Sequence, residues 1–185
     1  MISLLIRTVI SIGIISCFMF STLNKSDAKE TTIGVVEVQL IMQQALAAQS
    51  IQTQVEEKRD LYESIVIKEE NRLRELEKEI LRQKSLLKPD SFAKKKQEFD
   101  SQVTAHKRYV RERRRILDQT YADGVRQVQK ELASIIAIIA QERGISLVIP
   151  ASQVLYGEVT LLLTKKALTM LNDKLPRVEL DFPED

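Results

Sequence analysis

From Gln39 to Leu87 the chain contains neither glycine nor proline; Pro89, Asp90 and Ser91 then interrupt a pattern that resumes at Phe92. This single breaker inside a long helix-forming stretch constrains the fold more than any other feature. Ala, Leu, Gln, Glu, Lys and Arg dominate the first stretch, and all are good helix formers. Alternating steps of four and three residues select Val55, Arg59, Tyr62, Val66, Glu69, Leu73, Leu76, Ile80, Gln83 and Leu87. Seven of these ten are apolar. Such a narrow stripe is the seam of a coiled coil rather than the wide face of a globular helix, and its polar positions make it a weak seam. Past the breaker a second stripe runs through Phe92, Lys96, Phe99, Val103, His106, Val110, Arg113, Leu117, Tyr121, Val125, Val128 and Leu132. From Leu132 to Ala140 the residues are apolar on most faces, so the second helix ends inside a core. Gly144 suits the position just past its end.

The breaker could be a kink, a domain boundary or a hairpin tip. Val55 to Leu87 and Phe92 to Gly124 are both 33 residues long. At 1.5 Å per residue each arm spans about 50 Å. The flanking segments are apolar and β-prone: Thr32–Val38 before the arms and Ile145–Pro150 after them. A straight helix would hold these segments more than about 100 Å apart. An antiparallel hairpin brings them into one core, so Pro89 and Asp90 are expected at a hairpin tip. Pro89 disfavours helix at Lys88, and Asp90 or Ser91 can cap the restarting helix.

The expected fold class is α+β: a small β-body bearing a long antiparallel coiled-coil helical hairpin. Gln153–Leu161 reads as a third strand bent at Gly157, and Thr164 as the N-cap of a last short helix with Ala167, Leu168 and Leu171 on one face. The expected organisation is a signal peptide at 1–28, body at 29–54, a hairpin arm at 55–126 with its tip near 88–91, body again at 127–175, and a flexible acidic tail at 176–185. Three short strands without a disulfide give little core and leave sheet edges open. Self-association is the economical solution. Ile33, Val35, Val36, Val38, Leu147, Val148, Ile149, Val154, Leu155 and Tyr156 are the expected body core and oligomer interface.

The N-terminus differs in kind. Arg7 precedes an apolar run from Thr8 to Phe20, and Ser26 and Ala28 have the small-x-small spacing of a signal-peptidase site. Cleavage after Ala28 would remove Cys17, the only cysteine. A retained anchor is the alternative, although the run is short for a membrane span.

Charge is unevenly spread. Val55 to Arg126 carries 19 basic and 15 acidic residues, whereas the rest of the chain from Lys29 carries 7 and 10. Lys84, Lys88, Lys94, Lys95 and Lys96 crowd the tip, and Lys107, Arg108 and Arg111 belong to a second basic stretch. With Phe92 and Phe99 they are the candidate contacts for a client or polyanion. A solvated helix face explains the same charges. One histidine (His106), no Gly-rich phosphate loop and no metal-ligand cluster argue against an enzyme, and no cofactor is expected. Basic helices attract nucleic acid, but a secretory leader argues against it as a physiological partner.

The order of elements, with "IGVVEVQLIMQQALAAQSIQ" near the start and "GISLVIPASQVLYGEVTLLLTKKALTMLN" near the end, resembles the Skp (OmpH) family of periplasmic chaperones. Glu37 and Gln49 depart from the family pattern. The resemblance implies a homotrimeric, jellyfish-like assembly whose hairpins surround a cavity. It implies an ATP-independent holdase for unfolded outer-membrane β-barrel proteins in the Gram-negative periplasm, with no active site. Anionic lipid or lipopolysaccharide is a further partner the basic arms could meet. A structural coiled-coil adaptor or export-hairpin protein of the cell envelope is the competing reading.

Overall fold

The computed structural model describes residues 31–183; the expected signal peptide and Cys17 lie outside them. Strand β1 (Ile33–Val36) leads into a short helix α1 (Val38–Gln44) and then the long α2 (Leu46–Gln83). After a turn comes α3 (Pro89–Arg143), followed by β2 (Leu147–Pro150), two single 3-10 turns (Ala151–Gln153 and Val159–Leu161) and α4 (Thr164–Lys174). The chain is therefore mostly helical, with one small sheet. β1 and β2 pair in parallel, Ile33 opposite Leu147 and Val36 opposite Pro150. Strands joined this way need a long crossover, and the helical hairpin supplies it.

The hairpin is antiparallel from tip to root. Lys95 donates to Gln83, Arg72 donates to Gln102, His106 faces Glu70, and Arg113 lies over the Tyr62 ring. Nine of the ten α2 stripe positions are buried or half-buried, with Arg59 alone exposed. On α3, Lys96 and Tyr121 are the exposed members of the second stripe. The narrow apolar stripes thus close on one another, and the charged flanks form i,i+3 pairs such as Arg72–Glu69, Lys78–Glu75 and Arg115–Glu112.

At the far end the body buries its largest side chains around Ile41, Ile51, Val128, Ile135, Ile139, Leu163 and Leu171. Gly144 adopts a left-handed conformation (φ 64°) and ends α3. An L side chain is strained there, which is why glycine is preferred.

Several expectations are corrected. Helix does not begin at Gln39 and run unbroken: Ala45 is extended (ψ 132°), separating α1 from α2, and the Leu46 N–H donates to Asn172 Oδ1 at 2.9 Å. Lys88, rather than Asp90 or Ser91, occupies the N-cap position of α3, and Pro89 stands at the first helical residue, where its missing N–H costs nothing. Gln153–Leu161 is not a strand. Among the described residues only Leu162 bridges to Val35, and Leu155 and Tyr156 stand exposed. Thr164 does not cap α4 from outside; it is the first helical residue, and its hydroxyl accepts the Glu37 N–H at 3.0 Å. The tail does not fray over its whole length: Val178 is 2% exposed, and Leu180 and Phe182 pack against the core.

Of the expected body residues, Val35 and Val36 are buried, and Val38, Val148, Ile149 and Val154 are half-buried. Ile33, Leu147, Leu155 and Tyr156 are exposed and do not belong to the core of the single chain. They sit at the sheet margin and in the turns beyond it, where none of the described residues covers them.

Candidate functional site

The tip is built by the end of α2, a five-residue turn and the start of α3. Leu86 and Leu87 N–H groups both donate to the Gln83 carbonyl, tightening the last turn, and extended Lys88 then redirects the chain. The turn brings Phe92 and Phe99, one face of α3, against Ile80 and Leu81 of α2. Together they floor an open groove of about 270 Å³ that Lys84, Lys96, Glu77 and Asp100 also line. Lys95 and Phe99 line a smaller groove of about 200 Å³ on the opposite side of the seam.

The candidate residues therefore divide. Lys84, Lys96, Phe92 and Phe99 converge on one groove. Lys95 is held at 2.5 Å by Gln83 Oε1. Lys88 and Lys94 are exposed but line neither groove, and Pro89 and Asp90 are exposed at the turn itself. Lys107, Arg108 and Arg111 are exposed farther along α3, the nearest of them about 17 Å of helix rise from Lys96. Among these cations only Lys95 has a hydrogen-bonded partner; the rest keep their charge available to an approaching anion.

Electrostatics along the arm are dominated by exposed acid–base pairs. The Arg72 guanidinium, hydrogen-bonded to both Glu69 oxygens, holds that carboxyl below the usual range. Lys78 does the same for Glu75, and Arg115 for Glu112. Each acid is neutralised locally by its neighbour, which leaves the surplus cations of α3 to set the sign of the arm. Exposed pairs of this kind add little stability, and their consequence is the charge pattern.

Five exposed apolar side chains were not singled out from the sequence. Leu61, Ile65, Ile67, Leu81 and Leu86 are large apolar side chains 40% or more exposed along α2 and its turn. They lie outside the seam, and departure from the heptad register is the signal that could have found them. At the arm root, Arg113 is sandwiched between Tyr62 and Tyr109, 5.2 and 4.7 Å from their ring centroids. Beside it a cleft of about 380 Å³ is lined by Val55, Arg59, Leu117 and Tyr121. At the body, Leu155, Tyr156, Val159 and Leu162 form an exposed apolar margin next to β1. Among the described residues no group of acidic, histidine or cysteine side chains is placed to hold a metal ion, and no helix is long and apolar enough to cross a membrane.

The family model of outer membrane proteins described as OmpH-like matches residues 32–171, spanning body, both arms and tip. No curated protein matches the chain. A crystal structure from Caulobacter crescentus CB15, reported as a candidate OmpH-like outer membrane chaperone, is similar in fold. It superposes with a TM-score of 0.77 at 13% sequence identity, over 83% of this chain and 91% of that one.

Proposed function

This chain belongs to the OmpH-like outer membrane protein family, and we propose on that premise that it is an ATP-independent holdase for unfolded outer-membrane β-barrel proteins in the periplasm. The family match carries the reading, because it runs from β1 through the whole hairpin and into α4. The arm surface supports it. Exposed Leu61, Ile65, Leu81 and Leu86 are spread singly along a basic hairpin. Many loose apolar contacts, each desolvating a small area, retain an unfolded chain without offering a template on which it could finish folding. Uncompensated lysines and arginines raise the local concentration of acidic clients, and the same charges would attract anionic lipid or lipopolysaccharide.

The proposed working form is a homotrimer. Ile33, Leu147, Leu155, Tyr156, Val159 and Leu162 are apolar and exposed around a two-stranded sheet with a free edge. Copies of the same body closing those edges would bury this margin. Tyr156, 90% exposed, is the side chain expected to gain most.

Light scattering after dilution of a urea-unfolded outer-membrane β-barrel protein tests the function, with no nucleotide present. Suppression near one trimer per client is expected. Reversal of Lys84, Lys94 and Lys96 to Glu should weaken it, more so at low salt. An unchanged scattering curve with the native chain refutes the holdase and leaves the adaptor reading. Unimpaired suppression by the triple variant refutes the role of the tip charges. Mass in solution tests the trimer.

A further inference from the structure

The family match ends at residue 171, yet the chain continues past α4 and crosses back to the root of the arm. From Arg177 to Pro183 exposure alternates strictly: Val178, Leu180 and Phe182 face inward, and Arg177, Glu179, Asp181 and Pro183 face out. A period of two is that of an extended backbone. The backbone is held by side chains of α2. Val178 N–H donates to Ser50 Oγ at 3.2 Å, and its carbonyl accepts from Gln54 Nε2 at 2.7 Å. Leu180 N–H donates to Gln54 Oε1 at 3.1 Å. The Gln54 amide thus offers one donor and one acceptor to the tail, as a neighbouring strand would. Each inward side chain has its own seat. Val178 joins the core, Leu180 lies over Gly124 where an added Cβ would come within 2.7 Å of it, and Phe182 lies 5.6 Å from the Lys58 ammonium.

A site that grips main chain through one amide and takes apolar side chains at alternate positions recognises a pattern rather than a sequence. We propose that this groove at the arm root is a binding site for extended peptide with apolar residues at every second position. The chain's own tail fills it in the free protein, and a strand-forming segment of a bound client displaces the tail. The client step rests on the holdase reading above. Transmembrane β-strands carry this alternation, with lipid-facing apolar residues between polar ones, and "RVELDF" of the tail has the same pattern. Tethering gives the tail an effective concentration of about millimolar. A client already held by the arms competes at a similar effective concentration, whereas free peptide must be supplied at about millimolar levels to compete. The tail would therefore shield the groove until a client has been captured.

Hydrogen exchange at the Val178 and Leu180 amides of the full chain tests this in two arms. One adds an unfolded β-barrel client. The other adds about 5 mM of a synthetic peptide with the sequence of residues 176–185, and, as control, a peptide of the same composition with the alternation scrambled. Both amides should exchange slowly in the free chain and at least ~10-fold faster with client or with the alternating peptide, while the scrambled peptide leaves them slow. The peptide arm needs no chaperone activity. If it accelerates exchange while no client binds, the groove stands and the holdase reading falls. Exchange unchanged by the alternating peptide, or raised equally by the scrambled one, overturns the groove. Slow tail amides in a chain with client bound overturn the displacement.

Discussion

Replacing Gly124 by alanine tests the seating of the tail, because two opposing terms meet at one methyl group. Gly124 is buried in the middle of α3. In a helix interior, Gly→Ala by itself stabilises by about 1 kcal/mol. The new Cβ, however, would lie 2.7 Å from Leu180 Cδ2 and 3.1 and 3.2 Å from Ile51 Cδ1 and Cγ1. Ile51 is wholly buried and has little room to move, so Leu180 must give way. Overpacking of this kind costs about 1–3 kcal/mol, and here part of the cost is weakening of the Gln54 and Ser50 bonds to the tail. The net expectation is a destabilisation of about 0–2 kcal/mol from the two terms together. In a Leu180→Ala background the closest contact is gone and the vacated space lets Ile51 shift. The same Gly124→Ala change should then be neutral or stabilising by up to about 1 kcal/mol. Urea unfolding of the four chains at one protein concentration, followed by circular dichroism, closes the cycle. A coupling of about 1–2 kcal/mol is expected. Equal effects of Gly124→Ala in both backgrounds, within about 0.5 kcal/mol, would refute the packing of the tail on α3.

Ile135→Ala, which empties a fully buried core position, should cost about 2–5 kcal/mol, whereas Leu86→Ser, at a side chain 82% exposed, should stay within about 0.5 kcal/mol; denaturant midpoints compare them. Asn172→Ala removes the acceptor for the Leu46 N–H at the start of α2 and should cost about 0.5–2 kcal/mol as loss of a cap does, read as a fall in thermal midpoint. Acid should loosen the arms in one direction. Glu69, Glu75 and Glu112 have folded values below their ordinary range, through Arg72, Lys78 and Arg115 respectively. Their contribution is complete above the unfolded carboxylate value and is lost as pH falls through the lowered folded values. Each pair is exposed and contributes little, so helicity should hold from pH 7 to about pH 5 and fall only slightly below roughly pH 4; a decline beginning above pH 6 would contradict these pairs as its source.

How legible this protein is in its sequence depends on whether a feature is local or shared. The arms are local. Residues four and three apart share a helix face whatever surrounds them, so the stripes of Val55–Leu87 and Phe92–Leu132 could be read directly, and a lone Pro89 between arms of equal length implies reversal. The tip groove was half legible. The clustering of Lys84, Lys94, Lys95 and Lys96 is a sequence fact, but that Lys84 and Lys96 flank the apolar floor, while Lys95 turns to Gln83, depends on rotation of two helices about their seam.

Two long amphipathic helices, their reversal and the sign of the charge on the arms are written locally, because helix periodicity, proline sterics and charge are properties of neighbouring residues. Tertiary structure decided the rest, where distant groups compete for one backbone. Ala45 leaves the helix because Asn172, 127 residues on, takes the next N–H. Residues 153–161 turn rather than pair, and among the described residues the neighbouring edge of β1 takes only the bridge from Val35 to Leu162. The tail that composition marks as loose is seated because Ser50, Gln54 and the bare helix surface at Gly124 satisfy its backbone and side chains together.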